Sequence, residues 1–188
     1  MADFFYYPRK YLTEKNELMK ELVKAFASLF PEKEKEILEF ESILQSSSGE
    51  ELLIEFTRLF IGSVEFVAPP YGSFYLEGHL MGKTTLETET FYKKAGLQLK
   101  NDFNEIPDHI AVEFEFMYYL IHRELKSLLE NKEAEAEEFL QWQYEFLEKF
   151  LEKWIYPFCK TVKEGTSHRL FYLLANFIKE LIKTHRSN

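Results

Sequence analysis

Hydrophobic side chains recur every three or four residues through nearly the whole chain, and that period suits one element, the amphipathic α-helix. Leu18, Met19, Leu22, Val23, Phe26, Leu29 and Phe30 fall on one helix face. Pro31 interrupts that face and starts the next helix, with acids close behind it at the positive end of the new helix dipole. Ser48 and Glu51 have capping-box spacing ahead of "ELLIEFTRLFIG", where Gly62 is a stop. Thr84 and Glu87 repeat that spacing before a short helix ending at Gly96. Pro107 opens a long helix on which Ile110, Phe114, Met117, Leu120, Ile121, Leu125 and Leu128 share a face. Two more helical stretches follow, the first closed by Pro157. Strand-like alternation is scarce, no unit repeats, and no Gly/Ser-rich linker divides the chain. The expected fold is an all-α, single-domain bundle of about six or seven helices spanning residues 1–188.

One stretch breaks the pattern. "VAPPYGSFYLEGHLMGK", residues 67–83, gathers two prolines, three glycines and three aromatics between the third and fourth expected helices. It reads as a long irregular loop, and so long and apolar a loop needs a purpose.

Composition narrows that purpose. With 19 Phe and 11 Tyr the chain has ample material for a core. Its formal charge of −9 argues against a general nucleic-acid binder, whose phosphate contacts need a basic surface, and permits a cationic partner. The single cysteine, Cys159, excludes an intramolecular disulfide and reads as a small core or boundary residue. "MADFFYYPRKYLTEKNE" lacks the basic and apolar regions of a secretory signal, and charges interrupt every apolar run before it reaches membrane-spanning length. A soluble, cytoplasmic protein without stable membrane insertion is expected.

Complete catalytic sets are missing from the sequence. Carboxylate-bridged di-metal bundles use Glu-x-x-His, but the residues three before the histidines are Leu76, Ile106, Tyr119, Gly165 and Ile182. His109 with Glu113 is the nearest substitute, two ligand types at helical spacing with no third beside them. "GHLMGKT" resembles a phosphate-binding loop, yet Gly78 and Gly82 are one residue too close for that motif. No Gly-x-Ser-x-Gly elbow appears. The expectation is a protein without enzymatic turnover, metal or cofactor.

"EFTRLFIG" (residues 55–62), "APPYGSFYLEGHLMGKTT", "FYKKAGL" (residues 91–97) and "NEIPDHIAVEFEFMYYL" (residues 104–120) follow one another in an order and spacing that resembles the TorD/DmsD family of redox-enzyme maturation chaperones, relatives of the NarJ group. The resemblance covers residues 15–182, and its specific part is residues 55–120. It implies an all-helical chaperone that binds the apo form of a molybdopterin-containing oxidoreductase of the dimethyl sulfoxide reductase type. It also implies binding of that enzyme's twin-arginine signal peptide, help with cofactor insertion and delay of Tat export until folding is complete. Such a protein works as a monomer or homodimer. Two features depart from the family pattern: Tyr71 stands where Trp often follows the paired prolines, and "EIPDH" carries its extra residue before the proline, which leaves the register of Glu105 open.

A twin-arginine signal combines two guanidinium groups with an apolar segment, so its receptor needs carboxylates beside a hydrophobic groove. Asp108 and Glu105 are the candidates for the arginines, with Pro107 and His109 beside them. Tyr71, Gly72, Phe74, Tyr75 and Leu76 are the candidates for the groove. Each has a structural alternative. Pro107 and Asp108 also suit a helix start, His109 a first-turn polar residue, and the loop aromatics a plug on the bundle. Arg58 has Glu55 and Glu51 within reach on its own helix. The alternative function is a carboxylate-metal or small-ligand enzyme built on a helical bundle.

Overall fold

The computed structural model describes residues 1–6, 12, 17–62, 67–98 and 105–187, and every regular element among them is helical. The α-helices are α1 (Ala2–Tyr6), α2 (Glu17–Leu29), α3 (Glu34–Ser46), α4 (Gly49–Phe56), α5 (Gly72–Glu77), α6 (Lys83–Lys94), α7 (Ile110–Leu129), α8 (Glu133–Phe146), α9 (Glu152–Gly165) and α10 (Arg169–Ser187). A 3₁₀ turn, Pro31–Lys33, joins α2 to α3, and π-helical turns at Thr57–Ile61 and Leu147–Leu151 extend α4 and α8. The all-α expectation holds. Residues 99–104 of the second expected loop and the side chain of Leu18 lie outside the described residues.

The chain forms two compact units, one of Met1, Asp3–Pro69 and Tyr156–Asn188, the other of Ala2 and Pro70–Ile155. In the first unit phenylalanines form the core. Phe26 stacks on Phe177 at 4.4 Å, Phe40 meets Phe177 edge-on at 5.6 Å, and Phe56, Phe60 and Phe171 pack around Phe4 and Phe5. Such offset and edge-on pairs add about 0.5–1.5 kcal/mol each beyond area burial. Ser48 caps α4 by accepting from the Glu51 amide at 3.1 Å, as its spacing predicts. Gly62, at φ 60, ends the following π turn in the left-handed region that glycine enters without strain. Arg58 grips Glu55 with two 2.8 Å bonds and donates to the Gly165 carbonyl at 2.6 Å, so it ties this helix to the end of α9.

In the second unit, Phe91, Tyr92, Phe116, Phe146 and Phe150 form the core between α6, α7 and the α8 extension. α7 and α8 pack closely along their lengths, joined by a short turn.

Four expectations need correction. The irregular loop contains a helix, α5, which its prolines precede and Gly78, at φ 78, closes. Thr84 does not cap α6; Gly82 holds that position, and the Glu77 carboxylate accepts from the Lys83 and Thr84 amides at 2.8 and 2.7 Å. A Cβ on Gly82 would collide with that carboxylate. The segment that resembles a phosphate loop therefore holds an anion of the chain itself. Pro157 does not end a helix: α9 runs through it to Gly165. Pro157 leaves the Lys153 carbonyl without its helical donor, and both residues are exposed. Finally, the shared face of α7 is buried only as far as Leu120; Leu125 and Leu128 are exposed, as is Leu29 at the end of α2.

Candidate functional site

Two segments far apart in sequence meet through their backbones. Pro70 has no N–H to offer, so the pairing uses its carbonyl, which accepts from the Ile110 amide at 2.9 Å. The Gly72 amide donates to the Asp108 carbonyl, also at 2.9 Å, and Tyr71 and His109 stand opposite each other as an isolated antiparallel bridge. Their rings lie 5.0 Å apart.

Asp108 fixes this junction from beneath. It is 0% exposed; one carboxyl oxygen accepts from the Ser73 amide at 2.6 Å, in the first turn of α5, and the other from the Thr85 hydroxyl at 2.8 Å, on α6. The Tyr92 hydroxyl donates to the Pro107 carbonyl at 2.8 Å. Asp108 thus faces the protein interior, and a bound guanidinium meets neither of its oxygens unless these bonds break.

His109 is the N-cap of α7, its Nδ1 accepting from the Ala111 amide at 3.3 Å. The helix therefore starts at Ile110, three residues later than Pro107 suggests. That bond places the ring proton on Nε2. Burial pushes the imidazole down to about 4 against the opposing pull of Glu105 and Asp108, so it caps as the neutral form.

Glu105 supplies the half-buried carboxylate. Its Oε1 accepts from the Tyr71 hydroxyl at 3.2 Å and from the Ile106 amide at 3.0 Å, while Oε2 has no hydrogen-bond partner among the described residues. Burial first, then the Glu105 charge, raises the Tyr71 phenol well above its ordinary value, so it stays a donor. The hydroxyl that distinguishes Tyr from Trp at this position orients the acid whose register the sequence left open.

α5 carries the apolar candidates. Phe74 and Tyr75 are half-buried with rings 5.4 Å apart, and Leu76 is exposed. Gly72 lies flat on the buried Trp154 indole, where a Cβ would sit 3.0 Å from Nε1, and Tyr75 stacks on the same indole at 5.9 Å. Trp154 Nε1 donates to Glu113 Oε2 at 3.0 Å, and Glu113 Oε1, fully buried, has no partner. Ser73, Thr85, Tyr92 and Trp154 thus belong to this site although nothing in their local sequence marks them, and so does Glu113, which the sequence offered only as a metal-ligand partner of His109.

Burial, assisted by the Asp108 charge, raises Glu113 far above the usual carboxylate range and outweighs the Trp154 bond, so the acid is held neutral. A raised folded pKa contributes stability that is complete below the unfolded value near 4.5 and fades as pH rises toward the folded one. Glu113→Gln is expected to remove that alkaline loss. Relative to wild type, the variant should gain up to about 1.4 kcal/mol per pH unit as pH rises above the unfolded value, read by urea titrations at increasing pH. His109 acts at the opposite end: the unfolded ring takes a proton near 6.5 that the folded ring refuses until about 4, so stability also falls on acidification between those values. Parallel pH curves for the variant and wild type would refute the neutral assignment of Glu113.

His109 and Glu113 are thus committed to a cap and to an indole. Among the described residues, no group of three or more His, Cys, Asp or Glu side chains stands close enough to hold a metal ion. Cys159 is buried, its thiol pushed up to about 12 by that burial. No helix among the described residues is long and apolar enough to cross a membrane.

The family model described as "nitrate reductase delta subunit" matches residues 24–160, well over half of the chain and the whole of this site. The chain belongs to that family. Its curated relatives include the chaperone protein TorD of Photobacterium profundum, 34% identical over 60% of this chain, and those of Aliivibrio salmonicida, 29% over 68%, and Vibrio vulnificus, 32% over 61%. The matched segments span 52%, 59% and 53% of those three proteins. A crystal structure from Archaeoglobus fulgidus, assigned to redox enzyme maturation, superimposes with a TM-score of 0.53 and 28% identity, covering 87% of this chain and 93% of that one.

Proposed function

We propose that this protein is a cytoplasmic maturation chaperone for a molybdopterin-containing oxidoreductase of the dimethyl sulfoxide reductase type. It binds the apoenzyme and its twin-arginine signal peptide, assists cofactor insertion and delays Tat export until folding is complete. The observation that carries the reading is the Tyr71–His109 bridge, because it joins the paired-proline segment and the acidic segment into one surface with a carboxylate on it. Glu105 meets a guanidinium through its Oε2, which has no hydrogen-bond partner among the described residues, steadied by Tyr71. Phe74, Tyr75 and Leu76 receive the apolar part of the peptide, which apolar contact grips without strict sequence demands. Gly72, Pro107, Asp108 and His109 hold these groups in place. Recognition of this kind needs no catalytic group.

The test is calorimetric titration with a synthetic peptide carrying an Arg-Arg pair followed by an apolar segment, against its Lys-Lys variant. The arginine peptide should bind more tightly, since Arg pairs with a carboxylate through two parallel bonds and Lys through one. Glu105→Gln should weaken the arginine peptide roughly tenfold, the loss of about 1.4 kcal/mol, and erase the preference. Equal binding of both peptides to wild type would count against the proposed role, and an unchanged affinity in Glu105→Gln would remove Glu105 from it.

A further inference from the structure

The chain carries a formal charge of −9, yet one groove on it is basic. α6 and the π turn that leads into α9 meet through Phe91 and Phe150, whose rings lie edge-on at 5.5 Å. A groove of about 520 Å³ opens over that pair. On one side Lys83, Leu86, Glu87 and Thr90 form a single face of α6, at spacings of three, one and three. On the other side Lys149 and Lys153 stand four residues apart, Lys149 within the π turn, a rare element that is frequent at functional positions. Leu86 is 65% exposed beside a floor of two phenylalanines, so the apolar surface of the groove is open to a partner.

We propose that this groove docks an acidic amphipathic helix of a partner protein. Charge selects the partner. The lining sets three lysines against one glutamate, and Glu148 and Glu152, next in sequence to the second wall, do not line the groove. Lys83 pairs with Glu87 at 3.1 Å, Lys149 shares Glu145 with Lys94 at 2.6 and 3.0 Å, and Lys153 has no ion-pair partner among the described residues. Lysines on both walls above an apolar floor match a helix whose apolar stripe is flanked by carboxylates on both sides. The wall from Lys83 to Thr90 is roughly 10 Å long, which faces about two turns of such a helix. A lipid surface fits less well: it would meet a recess rather than a projecting apolar ridge, and the net charge of the chain repels anionic headgroups. The groove is separate from the Tyr71–His109 junction, because α6 turns Thr85 and Tyr92 toward that junction and Lys83, Leu86 and Thr90 toward the groove.

Fluorescence anisotropy with two labelled synthetic peptides tests the groove. One peptide carries leucines at i, i+3, i+4 and i+7 with glutamates on both flanks of that stripe; the other has lysines in place of the glutamates. The glutamate peptide should bind saturably, roughly tenfold or more tighter than the lysine peptide, and should weaken as salt is raised. Lys149→Glu with Lys153→Glu should weaken it roughly tenfold, and Leu86→Gln roughly threefold, with the helical circular dichroism unchanged because all three side chains are exposed. Glu87→Gln should tighten it about twofold, since the change removes the acid of the lining and releases Lys83, a gain that a merely structural role would not give. Vesicles bearing phosphatidylglycerol should leave the protein in the supernatant on sedimentation. No saturable binding, equal binding of the two peptides, indifference to the paired lysine reversal, or retention of the protein on the vesicles would overturn the proposal. Glu105→Gln should bind the glutamate peptide as wild type does, so the outcome is independent of the arginine-peptide test.

Discussion

Asp108→Ala is expected to cost about 4 kcal/mol, a large share of the roughly 5–15 kcal/mol that holds a typical domain folded. Its two oxygens take the Ser73 amide and the Thr85 hydroxyl in a place with no solvent access, and alanine leaves both donors without an acceptor. Each stranded buried donor costs about 1–3 kcal/mol. The loss falls on the start of α5 and its attachment to α6. Two companion variants separate this account from a general intolerance of mutation. Thr85→Val keeps the Ser73 bond but leaves the buried Asp108 Oδ1 without its donor, and should cost about 1–3 kcal/mol. Ser73→Ala should be close to neutral, because Asp108 receives the Ser73 backbone amide and the Ser73 hydroxyl itself has no partner. Urea denaturation of the three variants measures all of these, and a loss below about 1 kcal/mol for Asp108→Ala would show that the two bonds do not hold the junction.

The α-helices were largely legible because their signals are local. The three-and-four spacing from Met19 to Phe30, the Ser48 cap and the Gly62 stop each act within a turn or two. Misreadings arose where a distant group did the work of a local one. Thr84 has the spacing of a cap, but Glu77 approaches from the preceding turn and takes the amides first. Pro157 looks like a stop, yet helix breaking depends on whether the freed carbonyl is buried, which a linear pattern does not record. α5 is six residues long, too short to display a helical period, and its start is fixed by Asp108, 35 residues away. The candidate site divides along the same line. Tyr71, Asp108 and His109 stood out through their motifs, and the two segments do meet. The roles inside that meeting, with Asp108 turned inward and one Glu105 oxygen without a partner among the described residues, follow from pairings that no local pattern encodes. Trp154 was invisible for the same reason, and Glu113 drew notice only as a metal-ligand partner for His109: each acquires its function only when the other, 41 residues away, arrives.

That last pair carries the second large effect. Trp154→Ala is expected to cost about 5 kcal/mol, at the top of the range for a buried Trp truncation. Three losses coincide. The cavity opens directly against Gly72, which has no side chain with which to fill it, so collapse is limited. Tyr75 loses the ring it stacks on. Glu113, whose Oε1 is already unpartnered, loses the donor to Oε2 as well. Trp154→Phe separates packing from hydrogen bonding: most of the volume stays, the N–H goes, and the expected cost is about 1–3 kcal/mol. In a Glu113→Leu background the same Trp154→Phe change should cost about 1–2 kcal/mol less, because no polar group is then left waiting for the indole. The cycle is read by urea denaturation, and a coupling indistinguishable from zero would mean that the 3.0 Å bond contributes nothing to stability. Since Gly72 and Tyr75 rest on this indole, the phenylalanine variant should also weaken binding of an apolar peptide on α5 while leaving the Glu105 preference for arginine over lysine intact. A groove that lost its arginine preference together with its apolar grip would show that Trp154 positions Glu105 too, and that the two halves of the surface are one mechanical unit.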